Sequence, residues 1–320
     1  MPGAESADST SGGGVPSLAA MIRRDCIRIL AAGATGLRGV ALAEEPAPAM
    51  LTRPIPSTGE KLPVIGMGTW QTFDVRPKEA APLEPVMKAF VEAGGKLLDS
   101  SPMYGKSEEI AGHMIEKFRL RDKLFVATKV WTSGKEEGIA QMESSMKKLR
   151  AKPIDLMQVH NLQDVATHLD TLRAWKKEGI VRYLGVTHYT ASGHAAVEKL
   201  IATETLDFVQ INYSAAEREA EKKLLPLAKD RGVAVIANRP FAGGELFGKL
   251  RERPLPGWAK EIGCESWAQI LLKFIVSHPA ITCAIPATSR LHHLQDNMGA
   301  GRGPMPDEGI RKKIAEEIAA

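Results

Sequence analysis

From residue 64 onward the chain repeats one pattern eight times: a short apolar run, a break, and an amphipathic stretch with helical spacing. The runs cover residues 64–69, 96–100, 124–130, 155–160, 183–187, 208–212, 234–237 and 281–285. Between them lie segments such as 83–93, 137–149, 165–177 and 191–201, whose apolar residues recur every three or four positions. Several runs are apolar on both faces, as strands buried in a parallel sheet are. Residues 52–63, with Ser57-Thr58-Gly59 at the centre, read as a hairpin ahead of the repeats. Eight strand–helix units in roughly 270 residues predict an α/β fold, a (β/α)8 TIM barrel with an N-terminal hairpin. A doubly wound open sheet is the rival. It would need a GxGxxG turn after the first strand, and Gly66-Met67-Gly68 lacks both the third glycine and an immediate helix. The longest gap, between the seventh and eighth runs, holds Phe241-Ala242-Gly243-Gly244 and the segment 246–263, read as a loop with an inserted helix over the barrel mouth.

Three polar residues sit at or near the ends of successive runs: Asp99, Lys129 and His160, with Tyr104 following Asp99 by five positions. In a parallel barrel these ends converge on the face that carries the chemistry. Taken singly, Asp99 and Lys129 could be a structural ion pair, His160 a core histidine and Tyr104 a packing residue. Together they place a carboxylate, an ammonium, an imidazole and a phenol at one mouth. That combination lets a tyrosine deliver a proton, which points to carbonyl reduction. The ammonium is expected to lower the phenol's pKa.

Composition narrows the alternatives. Of 320 residues, 44% are hydrophobic and 25% charged, and the net charge of +4 comes from interspersed signs. There is no basic run to suggest nucleic-acid binding and no apolar stretch of the roughly 20 residues that span a bilayer. Three cysteines without a CxxC or a Cys/His cluster predict neither a disulfide framework nor a metal site, and Cys283 reads as core.

Residues 1–43 differ from the rest. Ser, Gly and Ala dominate residues 1–20, as in a disordered tail. Arg23-Arg24, two residues after Met21, precede a modest apolar stretch at 29–37, and Ala41-Leu42-Ala43 stands before Glu44-Glu45. This resembles a twin-arginine export signal with a small-residue cleavage site. It implies a disordered leader and signal peptide over 1–43, a single barrel domain over 44–320, engagement of the export machinery and a periplasmic destination. Without a functional signal the protein would be cytoplasmic.

Seven stretches in order resemble the aldo-keto reductase family across residues 51–320. They are GMGTW (66–70), Asp99-Ser100-Ser101-Pro102-Met103-Tyr104-Gly105, TKVW (128–131), DLMQVHN (155–161), GVTHY (185–189), QINYS (210–214) and IPATSR (285–290), with DN at 296–297. The resemblance implies a TIM barrel that binds NADP(H) or NAD(H) extended. It assigns Asp99, Tyr104, Lys129 and His160 as the catalytic tetrad, with Tyr104 the proton donor to an aldehyde or ketone and His160 holding the carbonyl oxygen. Cofactor contacts are expected at Gly68, Thr69, Thr187, His188, Gln210, Asn238, Arg239, Thr288, Ser289, Arg290 and Asn297. The resemblance implies those at Thr187, His188, Gln210 and Asn297, while hydroxyls and a helix N-terminus at 288–290 suit a phosphate. The match breaks at Asn238, where the family often stacks a tyrosine on the nicotinamide. It breaks again at Ala287 and His293, where well-known members carry Lys and Arg. Arg290 could replace that charge, so NADP(H) is preferred and NAD(H) possible.

Trp70, Met103, Trp131 and Phe241 are expected to wall an apolar pocket for a small-molecule carbonyl. The terminal helix at 307–319, without a long loop beyond it, favours small or medium substrates over steroids. No nucleic-acid partner, metal or membrane span is expected, and the protein should be a monomer or weak oligomer. The rival functions are a cofactor-binding regulatory or assembly subunit, as the potassium-channel β-subunits are, and another barrel chemistry such as metal-dependent hydrolysis.

Overall fold

The computed structural model describes residues 48–319, so the leader and its cleavage site lie outside the described residues. A two-stranded antiparallel hairpin, β1 (Thr52–Pro54) and β2 (Lys61–Pro63), opens this part of the chain. Eight parallel strands follow: β3 (Met67–Gly68), β4 (Leu97–Asp99), β5 (Phe125–Val130), β6 (Ile154–His160), β7 (Val181–His188), β8 (Phe208–Asn212), β9 (Ala234–Asn238) and β10 (Ile281–Ala284). They pair in sequence order from β3 to β10. The sheet then closes on itself, because Ile65 bridges Ala284 and Gly68 bridges Ala287, with Gly66 N donating to Ala284 O at 2.8 Å. Gly66 permits that approach: a Cβ there would lie 2.8 Å from Leu97 O. The result is the expected (β/α)8 barrel.

The outer layer consists of α1 (Glu84–Glu92), α2 (Ser107–Lys117), α3 (Lys135–Leu149), α4 (Val165–Lys177), α5 (His194–Thr203), α6 (Leu224–Asp230), α8 (Trp267–Val276) and α9 (Leu291–Gly299). The short α7 (Glu245–Leu250) is the insertion, and α10 (Glu308–Ala319) closes the described chain. The segment 246–263 is a loop carrying the short helix α7. Pro254 and Pro256 stop α7, and only one 3₁₀ turn, Gly257–Lys260, follows. Fully buried Lys273 on α8 ties this segment down, donating to the carbonyls of Ile262, Arg302 and Pro304 at 2.6–2.7 Å.

Alternation along the strands sorts side chains between the barrel interior and the helix layer. Leu97, Phe125, Ala127, Leu156, Tyr183, Phe208, Ala234 and Ile236 fill the interior, and the hairpin's Ile55 and Leu62 join them. Val126, Val130, Met157 and Val159 belong instead to the larger cluster beneath the helices. Counting on by two from the interior residues reaches Asp99, Lys129, Gln158 and His160, Thr187, Gln210 and Asn238. The strand period therefore sets the polar residues as the top layer of the interior.

Candidate active site

Asp99 ends β4 and Lys129 lies one residue before the end of β5, both buried. Lys129 Nζ donates to Asp99 Oδ2 at 2.6 Å and to Ser100 O at 2.7 Å. The other carboxylate oxygen, Oδ1, accepts from Gln210 Nε2 at 2.8 Å and Gln158 Nε2 at 3.4 Å. Tyr104 lies on the β4–α2 loop, its ring centroid 5.1 Å from Lys129 Nζ. Its ring meets that of His160 edge-on, 6.0 Å between centroids. His160, the last residue of β6, shares a 3.0 Å hydrogen bond between Nδ1 and Ser101 Oγ. All four candidate catalytic residues thus converge.

The loop bearing Tyr104 is held from several sides. Thr69 Oγ1 donates to Ser100 Oγ at 2.9 Å and to Asp99 O at 3.1 Å. Lys106 N donates to Asp74 Oδ1 at 2.9 Å, and Ser107 N to Tyr104 O at 3.0 Å. Gly105 carries φ +57°, and a Cβ there would sit 2.2 Å from Asp74 Oδ1.

Electrostatics correct one expectation. Burial raises the Tyr104 pKa, and although Lys129 pulls it down, the net position is above the ordinary 10.0 of a phenol. Tyr104 therefore rests as a protonated phenol. Burial works against the Lys129 charge too, but the Asp99 carboxylate outweighs it and the ammonium is favoured beyond its ordinary range. Burial, with Lys129 and His188 adding to it, depresses His160 to about 2, so its imidazole is neutral.

Asp99, Tyr104 and His160 open onto a cavity of about 610 Å³. Lys129 lies behind its wall. Of the expected cofactor residues, Gly68, Thr69, Thr187, Gln210, Asn238 and Arg239 line the cavity, as do the expected substrate residues Trp70, Met103, Trp131 and Phe241. A second cavity of about 510 Å³ adjoins it across Phe241, Phe247 and Ala287, and is lined by Thr288 and Asn297. His293 lines it as well, with Arg251 from the inserted segment.

Three expected contacts are not brought to either wall. His188 turns back toward its own loop, Nδ1 lying 3.2 Å from Thr190 O, and Gly193 leaves room for the ring. Ser289 and Arg290 are exposed just before α9, where Arg290 N donates to Thr288 Oγ1 at 3.1 Å. Gln210 does line the cavity but is engaged at both ends, its Oε1 accepting from Thr187 Oγ1 at 3.3 Å while its amide donates to Asp99. Cavity residues absent from the expectation include Asn161, Tyr189 and Phe247. The first two stand inside the quoted motifs, one position beyond a strand. Phe247 lies on α7, where no motif points to it.

Several polar atoms of the cavity residues are buried without a hydrogen-bond partner: Thr72 Oγ1, Asn161 Oδ1, Asn238 Oδ1 and Arg239 Nε, the last only loosely ion-paired with Glu217 Oε2 at 3.7 Å. Unpaired buried amide and guanidinium atoms are costly unless a ligand satisfies them. An elongated ligand carrying an amide at one end and anionic groups along its length fits these residues and the paired cavities. Among the described residues no three His, Cys, Asp or Glu side chains gather as metal ligands, and no helix is long and apolar enough to cross a membrane.

A buried carboxylate–ammonium pair beneath a protonated phenol, with a neutral imidazole beside it at a barrel mouth, defines an oxidoreductase site for carbonyl chemistry. The chain belongs to the aldo/keto reductase family, whose model matches residues 64–314, and is accordingly an NAD(P)H-dependent oxidoreductase. It is 30% identical over 216 residues to the aldo-keto reductase YhdN of Bacillus subtilis, an overlap of 62% of this chain and 64% of that protein. It is 29% identical over 247 residues to the methylglyoxal reductase YeaE of Escherichia coli, covering 74% of this chain and 84% of the relative. The fold matches that of an aldo-keto reductase from Klebsiella pneumoniae solved with NADPH, at a TM-score of 0.69 and 23% identity over 84% of this chain and 95% of that one.

Proposed function

We propose that the protein reduces an aldehyde or ketone to an alcohol, using NADP(H) in preference to NAD(H). The observation that carries this is the Asp99–Lys129 pair held at 2.6 Å under Tyr104, with His160 facing the same cavity. The bound nicotinamide supplies a hydride to the carbonyl carbon. Tyr104 gives its proton to the carbonyl oxygen, so that hydride and proton together complete the alcohol. Lys129, kept charged by Asp99, stabilises the phenolate left behind. Neutral His160 orients the carbonyl oxygen toward Tyr104 without competing for its proton. Thr187, Gln210, Asn161 and Asn238 stand at the nicotinamide end. Thr288 and Asn297 would meet the adenosine end, where the start of α9 favours an anion, and Arg290 would reach it from the exposed rim. Trp70, Met103, Trp131 and Phe241 give the substrate an apolar wall. The E. coli relative's activity on methylglyoxal supports a small carbonyl compound.

Tyr104→Phe tests the assignment. It should abolish carbonyl reduction, assayed as NADPH oxidation with a panel of aldehydes, while NADPH binding followed by fluorescence survives. Near-normal turnover by this variant would refute the proton-donor role.

We further propose that residues 1–43 form a twin-arginine leader removed before Glu44, leaving a periplasmic barrel. Paired arginines, an apolar stretch and Ala41-Leu42-Ala43 support this. Amino-terminal sequencing of protein from its native cells should begin at Glu44. A start at Met1 or Met21 would speak against export.

A further inference from the structure

We propose that Ser101 sets the tautomer of His160, so that Nε2 carries the imidazole proton and presents it to the substrate oxygen. The inference rests on the reading of Tyr104 and His160 as the carbonyl-oxygen site, and it adds a positioning residue to that site.

Between Ser101 and the Nδ1 side of the His160 ring every proton needs a protein acceptor, whereas Nε2 reaches the cavity. Ser101 is fully buried and His160 nearly so. Ser101 Oγ has two polar neighbours: Met103 N, which donates to it at 3.4 Å, and His160 Nδ1 at 3.0 Å. A neutral imidazole has one N–H, and either nitrogen can hold it. If Nδ1 carried the hydrogen, Ser101 Oγ would accept from both neighbours and its own hydroxyl proton would have no acceptor. A buried donor left unpaired is costly. If Nδ1 is bare, Met103 N–H donates to Ser101, Ser101 O–H donates to Nδ1, and every proton in the chain has a partner. The hydrogen of His160 is then on Nε2, which has no protein partner among the described residues. Nε2–H can donate to a carbonyl oxygen, whereas a bare Nε2 would repel it.

The sequence segment Asp99-Ser100-Ser101 thereby orders the site by three separate contacts. Asp99 holds Lys129, Ser100 O takes a second proton of the same ammonium, and Ser101 orients the imidazole. The backbone also ties Ser101 to the proton donor, since Tyr104 N donates to Ser101 O at 3.0 Å.

The test is a long-range proton–nitrogen NMR spectrum of protein carrying ring-15N histidine, with and without NADP⁺. The His160 signals are identified by their loss in His160→Gln. The expected spectrum shows a protonated Nε2 and a bare Nδ1 accepting a hydrogen bond. In Ser101→Ala that preference should weaken, and kcat should fall about tenfold, the scale of one lost hydrogen bond, with the NADPH Kd within about twofold. A protonated Nδ1 in the wild-type protein overturns the proposal, and this outcome does not depend on Ser101→Ala remaining folded. So does a Ser101→Ala protein whose His160 tautomer is unchanged, whatever its kcat. Failure of the reductase reading is distinguishable, because it would appear as turnover by Tyr104→Phe with the His160 tautomer intact.

Discussion

Lys129 keeps a full positive charge where no water reaches it, and the Asp99 carboxylate is what makes that tenable. Removing one partner of such a pair leaves an uncompensated buried charge, at a cost of about 3–5 kcal/mol. The pair also governs how the reaction responds to pH. A proton donor works only while it holds its proton. Tyr104 has its pKa above the ordinary 10.0, so it remains protonated from neutral pH into the alkaline range. Burial holds His160 neutral down to about 2, so the imidazole of the tetrad does not change charge as pH crosses the usual 6.5 of histidine. The expected kcat/KM for reduction is therefore flat from about pH 6 to 9 and declines only as pH rises past the usual phenol range. A pH–rate series with a saturating cofactor checks this, and an inflection near 6.5 that survives His188→Asn and His293→Asn would contradict a neutral His160. The four candidate residues were legible because each stands at a strand end or just after one. Ser101 and Gln158 were not, because a hydrogen bond to His160 or Asp99 across 59 positions leaves no local mark.

At the scale of elements, strand positions were readable because a buried parallel strand must be apolar on both faces. The run at 208–212 coincides with β8, and that at 234–237 falls one residue short of β9. The first run shrinks to Met67–Gly68 plus bridges, since glycines at 66 and 68 serve closure of the barrel rather than a regular ladder. Gln210 and His188 illustrate what a pattern cannot show. Both sit where motif position assigns a cofactor contact, yet Gln210 also supports Asp99 and His188 folds onto its own loop. The β4–α2 loop yields a prediction at this scale. Gly105 combines a left-handed backbone with direct packing against the Asp74 carboxylate. Gly105→Ala would displace Asp74, release Lys106 N and shift Tyr104 relative to His160. Misplacement of a reacting group by about 1 Å can cost about a hundredfold in rate. The variant should lose kcat on that scale with little change in thermal midpoint, as the loop lies outside the core. An unaltered kcat would show that the Asp74 strap does not position Tyr104.

Across the described residues, the hairpin seals one end of the barrel interior and the polar layer crowns the other, which leaves the mouth for ligand entry. There the two cavities meet at Phe241, Phe247 and Ala287, and a cofactor spanning both would join α9, the inserted segment and the tetrad. Binding to the folded state alone stabilises it by mass action, about 2.7 kcal/mol at a hundred times Kd. NADPH should therefore raise the thermal midpoint in a concentration-dependent way. Which dinucleotide does so best depends on charge at the adenosine end. Ala287 and His293 offer no fixed cation there, and Arg290, exposed before α9, is the candidate to meet a 2′-phosphate. A charge-assisted contact of this kind is worth about 1.5–3 kcal/mol. Arg290→Ala should accordingly weaken NADPH at least about tenfold, from the same range, and leave NADH nearly unchanged. Thermal shift measured against both cofactors reads the two affinities on one protein. An equal loss for both would place the phosphate elsewhere, with Arg251 across the second cavity the next cation to substitute.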